Sequence, residues 1–208
     1  MMEEMKISEF LEAVSSSAPV PGGGGVSACV AALGMCLGSM VANLTAGKKK
    51  YAAYEEEIQQ LLQKAGEVTK RLVSGMDKDA EAFEPLSKAY GLPKGTEEEI
   101  AKRTEIMEKA LAEASTAPLE LMEEILAALE ILSRLSVIGS RIAISDAGVG
   151  AQLCRAALNG ASLNVYINTK LMKNRQTAES MNQRAQELTV RGNALADEIY
   201  SRVENSLH

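Results

Sequence analysis

Apolar residues recur along the chain at the spacing of an α-helix. The first such run lies near the N-terminus and predicts a short amphipathic helix over about residues 5–16. A much longer stripe, with steps of three and four residues, predicts one helix over residues 51–90, which Pro85 either kinks or ends. Asp79 is the one charged residue on this stripe.

The second half of the chain follows the same helical pattern. A break at residues 91–95 is followed by Thr96 and Glu99, which make a capping box at the start of a helix. Within this helix, Pro118 either introduces a kink or begins a new helix. After a turn at residues 136–139, an almost charge-free helix runs to about Lys170, and an amphipathic tail helix follows.

The segment from Ala13 to Gly47 contains no charged side chain, although 24% of the chain is charged. Its helix, over about residues 26–46, has the length of roughly 20 residues that a bilayer requires. Small residues dominate it, however, so its transfer into lipid gains little free energy. Four of them form a smooth face that a second helix can approach closely: Ala31, Gly34, Gly38 and Ala42. We therefore interpret the segment as the central helix of a soluble bundle without membrane contact.

These elements predict an all-α protein, an up-and-down bundle of about six or seven helices in a single domain over residues 1–208. A chain of this length can bury a substantial core. Two nearly charge-free helices exceed what a small monomer readily buries. We therefore expect part of their surface to form an interface in a homodimer.

The composition excludes several classes of function. A net charge of −6 argues against a nucleic-acid partner. The single histidine, His208, is the last residue, so histidine-dependent nucleophiles and zinc sites are excluded and no metal is expected. Cys29, Cys36 and Cys154 lie in apolar segments and lack CxxC spacing, as free thiols do in a reducing compartment. With no signal peptide evident, this predicts a cytoplasmic protein.

A glycine-rich turn, Pro21-Gly22-Gly23-Gly24-Gly25, precedes the central helix. Glycines leading into a helix expose backbone N–H groups at the positive end of the helix dipole, where a carboxylate or a carbonyl can bind. The turn lacks the lysine and hydroxyl of a P-loop, and no strand precedes it. It marks either a ligand site or only the entry geometry of the helix.

Two aspartates are the candidates for acid–base chemistry. Asp79 lies in an apolar seam with no Lys or Arg one turn away, so it requires a buried cation, a helix terminus or a ligand. Burial there raises a carboxyl pKa. Asp146 begins the second charge-free helix, where the dipole alone explains an acidic residue after an N-cap at Ser145. Asn164 is about 27 Å from Asp146 along a straight helix and cannot share its site.

Short motifs occur in one order along nearly the whole chain: PGGG at 21–24, MVANLT at 40–45, KKY at 49–51, DAEAF at 79–83, LPKGT at 92–96, APL at 117–119, SD at 145–146 and NVYIN at 164–168. Each is weak alone, and together they are specific. The chain resembles the cyclodeaminase/cyclohydrolase family of folate enzymes, which comprises the C-terminal domain of formiminotransferase-cyclodeaminase and its free-standing bacterial relatives.

The resemblance implies an all-helical homodimer with folate sites near the subunit interface. It also implies chemistry at 5,10-methenyltetrahydrofolate, with no cofactor beyond the tetrahydrofolate substrate. Asp79 is then the first candidate for proton transfer, and Asp146 is either a cation stabiliser or an acceptor for the pterin edge. The expected substrate-binding residues are Pro21, Gly22, Gly23, Gly24, Gly25, Ser27, Asn43, Thr45, Lys48, Lys49, Lys50, Tyr51, Asn164 and Asn168.

Three readings of the function remain. Formimidoyltetrahydrofolate cyclodeaminase is placed slightly ahead of methenyltetrahydrofolate cyclohydrolase, and a non-catalytic folate-binding or assembly module is the third. The three lysines at 48–50 either meet the glutamyl tail of the folate or form a solvated helix end. Two departures from the family pattern bear on activity. Gly25 stands where many members have serine, and Ser140 where an asparagine is usual, which puts an amide contact near Asp146 in doubt.

Overall fold

The computed structural model describes residues 1–208 and is all-helical. Its six α-helices are α1 (Ile7–Ser15), α2 (Gly23–Asn43), α3 (Glu55–Tyr90), α4 (Glu97–Ile138), α5 (Ile144–Thr169) and α6 (Arg175–Leu207). Three short 3₁₀ segments lie at Met2–Glu4, Lys49–Tyr54 and Arg141–Ala143. The prediction of an all-α protein is confirmed, with six helices.

Helices α2 to α6 alternate in direction along the chain. Ion pairs between Arg71 and Glu124 and between Glu57 and Arg134 set α3 and α4 antiparallel. The amide pair of Asn159 with Asn193 and the contact of Gly148 with Val203 set α5 and α6 antiparallel. The arrangement is therefore up-and-down, with one large apolar core shared by the five long helices.

The centre of the bundle is the antiparallel pair of α2 and α5. A Cβ atom added to Gly34 would lie 2.8 Å from the Gly150 carbonyl oxygen and 2.8 Å from Cys154 Sγ. The small residues that the sequence placed on one face of α2 are all buried. Their predicted role, to let a second helix approach closely, is confirmed.

Helix α2 is also the one helix long and apolar enough to cross a membrane, with a mean hydropathy of 1.9 over its most apolar window. Within the protein, 56% of that window is buried. It packs against α3, α4 and α5, as the core helix of a bundle does.

Several predicted boundaries were wrong. Helix α2 begins at Gly23 and not near Val26, so three of the glycines form its first turn. It ends at Asn43, and Tyr51 lies in a 3₁₀ segment before α3. Ser145 is inside α5, whose N-cap is Ala143, and no side chain caps that end.

Both internal prolines lie within continuous helices, Pro85 in α3 and Pro118 in α4. A proline has no N–H, so Pro118 leaves the carbonyl of Ala114, one turn earlier, without its helical donor. The buried Asn168 side chain of α5 donates to this oxygen at 2.9 Å. The helix continues because another helix satisfies the freed carbonyl.

The outward face of α2 and α5 is apolar and lies on the side away from α4. Its exposed residues include Leu33 and Met40 on α2 and Val149, Leu163 and Ile167 on α5. Leu163 is 67% exposed, and no exposed residue of α2 is charged. Exposed large apolar side chains on two neighbouring helices, with no charged residue on α2, are typical of an interaction face.

Candidate active site

The first turn of α2 meets Asp79 of α3. Gly22 is the N-cap of α2, and the N–H of Gly25 donates to Oδ2 of Asp79 at 3.1 Å. The N–H groups of Gly23 and Gly24 make no hydrogen bond within the chain, and neither does Oδ1 of Asp79. Two donors and one carboxylate oxygen are therefore free to bind a ligand at this helix terminus.

The contact between these elements requires glycine at position 24. A Cβ atom built on Gly24 would lie 1.9 Å from Oδ1 of Asp79. At Gly25, the nearest atoms to an added Cβ are the Met76 carbonyl oxygen at 3.5 Å and Pro21 Cβ at 3.7 Å, which are ordinary contacts. The serine that many family members carry at position 25 therefore fits this backbone, whereas a side chain at position 24 would displace the Asp79 carboxylate.

Asp79 forms no ion pair and is only partly exposed. Burial raises its pKa above the usual value, and the hydrogen bond from the Gly25 N–H opposes this shift. Its partner in the chain is thus a helix terminus and not a Lys or Arg. This contact is one of the structural explanations that the sequence left open, and it leaves the second carboxylate oxygen available for chemistry.

Asn164 and Ser27 lie close to the same turn. The Asn164 side chain approaches within 3.4 Å of the position that a Cβ would take on Gly23, and its amide donates to the Gly160 carbonyl. The buried Ser27 hydroxyl donates to the Gly23 carbonyl at 2.7 Å, within α2. Pro21 is buried and follows a cis peptide bond. The N-terminal cluster is therefore the turn at 21–25 with Ser27, Asp79 and Asn164.

A second cluster forms at the other end of α2, where α5 begins. The buried Thr45 hydroxyl accepts from the Ser140 N–H at 2.8 Å, and Lys48 Nζ donates to the Ser140 hydroxyl at 3.3 Å. The Tyr51 hydroxyl accepts from the Arg141 N–H at 3.2 Å. Thr45 holds the start of the Arg141–Ala143 segment against the end of α2. Its hydroxyl has no free donor for a ligand, because it also donates to the Val41 carbonyl.

A cavity of about 300 Å³ opens beside this second cluster. Its cationic lining residues are Lys50, Arg141 and Arg202, and no carboxylate lines it. Arg141 and Arg202 were not among the sequence candidates. Arg202 comes from α6, far along the chain, and nothing in the local sequence signals that it reaches this cavity.

The two candidate carboxylates lie at opposite ends of the α2–α5 pair. Asp79 meets Gly25, and Asp146 is in the first turn of α5, at the end of the bundle where Ser140 meets Thr45. The length of α2 between Gly25 and Asn43 separates these ends by about 27 Å. Asp146 forms no ion pair or hydrogen bond. One chain does not bring Asp79 and Asp146 into a single small site.

Two expected binding residues have other contacts. Asn168 donates to the Ala114 carbonyl and is buried against α4, away from the glycine turn. Asn43 is exposed at the end of α2 and donates to the Ser39 carbonyl. Lys49 and Lys50 are exposed, and no ion pair of the chain includes them or Lys48.

The formiminotransferase-cyclodeaminase family model matches residues 6–187, which is most of the chain. The chain belongs to the formiminotransferase-cyclodeaminase family. The resemblance read from the short motifs is thus confirmed, and both clusters lie within the matched region.

Relatives of two kinds share this family. The chain is 38% identical over 202 residues to the methenyltetrahydrofolate cyclohydrolase of Methylorubrum extorquens, with 97% of each protein covered. It is 31% identical to the formimidoyltransferase-cyclodeaminase of Sus scrofa over 195 residues, and this matched stretch is 94% of this chain and 36% of that protein. The formiminotransferase-cyclodeaminase family therefore includes a relative of the same length and others in which the matched part is about a third of a longer chain.

The fold agrees with a solved member of the formiminotransferase-cyclodeaminase family. The crystal structure of formiminotetrahydrofolate cyclodeaminase from Thermotoga maritima covers the whole of both chains with a TM-score of 0.89 and 28% identity. The chain is accordingly an enzyme of folate one-carbon chemistry, of the cyclodeaminase or cyclohydrolase type.

Proposed function

We propose that this protein is a methenyltetrahydrofolate cyclohydrolase, which converts 5,10-methenyltetrahydrofolate and water into 10-formyltetrahydrofolate. The observation that carries the proposal is the 38% identity to the Methylorubrum extorquens cyclohydrolase over 97% of both chains. This reverses the order of the two activities expected from the sequence alone. Formimidoyltetrahydrofolate cyclodeaminase is the second candidate, supported by the full-length likeness to the Thermotoga maritima enzyme.

Both reactions are proton transfers around one carbon atom. In cyclohydrolysis, water forms a C–O bond to the methenyl carbon, and the C–N5 bond breaks with its electron pair on N5. Water loses two protons, N5 gains one, and one proton is released. In cyclodeamination the formimino group begins as its protonated cation. N10 forms a bond to the formimino carbon, the bond from that carbon to the formimino nitrogen breaks with its electron pair on nitrogen, and one proton passes from N10 to this nitrogen, which leaves as ammonia. Neither reaction requires a metal or a cofactor besides the folate.

In this proposal Asp79 takes the proton from the attacking water or N10. A carboxylate also stabilises the cationic carbon by its charge, most strongly where water is excluded. The raised pKa brings Asp79 closer to neutral pH, where it exchanges protons more readily. The free N–H groups of Gly23 and Gly24 hold a substrate carbonyl or carboxylate beside it.

We propose a homodimer that packs the outward faces of α2 and α5 against a second copy. The exposed Leu33, Leu163 and Ile167 support this interface. A two-fold axis across the middle of α2 sets the two copies of α2 antiparallel, so the Asp79 end of one copy lies beside the Tyr51 end of the other. Each folate site then takes residues from both copies. Light scattering at micromolar concentration tests this, and a mass near the 22.2 kDa of one chain contradicts it.

Lys48, Lys49 and Lys50 bind the glutamyl tail of the folate in this arrangement, including polyglutamylated forms. The support is electrostatic, because these side chains have no carboxylate partner in a chain of net charge −6. Asp146, near this end of α5, stabilises the cation or accepts from the pterin edge. Folate one-carbon chemistry of this kind fits a cytoplasmic enzyme.

A spectrophotometric assay separates the candidate functions. A cyclohydrolase accelerates the decay of methenyltetrahydrofolate absorbance over a buffer control, whereas a cyclodeaminase generates that absorbance from formiminotetrahydrofolate. The Asp79→Asn variant is the control for a contaminating enzyme. If the wild-type protein changes neither signal, the proposed function is wrong and the non-catalytic reading replaces it.

A further inference from the structure

Tyr51 has an unusual hydrogen-bond environment for a surface tyrosine. Its hydroxyl oxygen accepts from the Arg141 backbone N–H at 3.2 Å, and its own O–H donates to no atom of the chain. Ser140, the residue before Arg141, is held from two sides: its N–H donates to the Thr45 hydroxyl at 2.8 Å, and its own hydroxyl accepts from Lys48 Nζ at 3.3 Å. Lys48 and Ser140 thus fix the backbone that presents the Arg141 N–H to the phenol, whose own O–H stays free.

The charges around Tyr51 are almost all positive. Lys48 and Lys50 come from its own segment, and Lys50 Nζ lies 5.7 Å from the ring centroid. Arg141 comes from the segment before α5. Arg202 of α6 lines the adjacent cavity, and Glu198, with which it forms an ion pair, does not line it. The Arg141 N–H lowers the pKa of Tyr51 most, partial burial opposes it, and Ser140, Lys50 and Lys48 lower it further.

We propose that Tyr51 is a second proton-transfer residue of the folate reaction, with Ser140 and Lys48 as its positioning residues. This inference rests on the proposed function and on the proposed homodimer, because only a second copy brings the Asp79 end of α2 beside Tyr51. It adds a proton donor to the proton acceptor Asp79. Asp79 has a free carboxylate oxygen that accepts a proton, whereas Tyr51 has a free O–H that donates one. The cavity of about 300 Å³ beside the phenol is at the small end of the range for ligand sites, about 300–1,000 Å³.

The step assigned to Tyr51 is protonation of the departing nitrogen. As the C–N bond breaks, its electron pair stays on nitrogen, which takes the proton from the Tyr51 oxygen. The phenolate is stabilised by the Arg141 N–H, the Ser140 hydroxyl and the nearby ammonium groups, and it regains a proton from water. The departing nitrogen is N5 in cyclohydrolysis and the formimino nitrogen in cyclodeamination.

A titration without substrate tests the environment of Tyr51. The absorbance of tyrosinate is followed against pH, and the difference between wild type and Tyr51→Phe isolates one of five tyrosines. The transition of Tyr51 is expected below the usual pKa of about 10. Lys50→Met and Ser140→Ala should move it upward. Lys49→Met removes the same charge from an exposed neighbour that does not act on Tyr51, so it should leave the transition in place.

Turnover tests the role itself. Tyr51→Phe should lower kcat by about 10²–10⁴-fold with little change in KM, the range for loss of a general acid. The donor must be protonated, so wild-type activity falls as pH rises through the Tyr51 pKa, and Lys50→Met should move this alkaline limb upward. An unchanged kcat in Tyr51→Phe overturns the inference, as does a Tyr51 that titrates with the other tyrosines. A wild-type protein that turns over neither folate refutes the proposed function instead, and the titration then still reports on Tyr51.

Discussion

The Gly24→Ala variant tests the position of the Asp79 carboxylate with the smallest possible change. The added methyl would lie 1.9 Å from Oδ1 of Asp79, whereas nonbonded heavy atoms prefer about 3.5 Å. The carboxylate must therefore retreat by about 1.6 Å and lose its hydrogen bond with the Gly25 N–H. A misplacement of about 1 Å in a reacting group can cost 10²-fold in rate. We expect turnover to fall by about that factor or more.

The cost in stability should be much smaller. Overpacking costs about 1–3 kcal/mol. Replacing glycine by alanine within a helix returns up to about 1 kcal/mol. The net loss of about 0–3 kcal/mol corresponds to a fall in Tm of at most about 12 °C for a chain of this size. Activity is therefore the sensitive measurement, and melting shows that the protein is still folded.

The matched control is Gly66→Ala in α3. A Cβ at Gly66 has no neighbour within 4 Å, so this variant carries the same change in helix propensity without the clash. It should keep turnover and melt at or slightly above the wild-type temperature. Wild-type kcat and KM in Gly24→Ala would refute the argument, because they would show that the reaction does not depend on where the Asp79 carboxylate lies.

Three further predictions follow from the same contacts. Asp79→Asn should abolish turnover, while Tm at pH 7 holds or rises. The raised pKa of Asp79 means that burying its charge destabilises the folded protein only above that pKa, so the asparagine removes this cost at pH 7. The gain in Tm should disappear as the pH falls below the pKa of Asp79. Neutralising the lysines at 48–50 should weaken the binding of polyglutamylated folates more than the binding of the monoglutamate. In binding titrations this loss of affinity should be smaller at high salt. Asn168→Ala should cost about 1–3 kcal/mol in denaturant unfolding, because it strands a buried carbonyl, and this cost should shrink when Pro118→Ala restores the helical donor.

The helices themselves could be predicted because their apolar spacing is local information. The ends of α2 could not, because its first turn includes three glycines whose conformation is fixed by Asp79, 54 residues further on. The continuity of α4 through Pro118 depends on Asn168 in the same way. A proline breaks a helix because it lacks a local hydrogen-bond donor. Here the Asn168 side chain, from another helix, supplies that donor, and the sequence around Pro118 gives no sign of it.

The sequence predicts the residues of the candidate site that belong to a local motif. It does not predict which residues from distant parts of the chain come together. The glycine turn and Asp79 could each be identified from the sequence, and the structure brings them into contact. The cavity beside Tyr51 combines the segment before α3, the end of α4, the start of α5 and the end of α6. Arg202 approaches it only through the packing of α6 in the bundle. No periodicity in the sequence encodes such a meeting of four elements.

The separation of the two clusters leads to a decisive experiment on the proposed homodimer. If each folate site combines Asp79 of one copy with Tyr51 of the other, Asp79→Asn and Tyr51→Phe chains complement each other when mixed. Random exchange gives half mixed dimers, each with one intact site and one doubly defective site, so activity should return to about one quarter of the wild-type value. Sites built within single chains stay defective in every mixture. Absence of recovery, with exchange of subunits demonstrated by mass, would show that the two clusters serve separate sites.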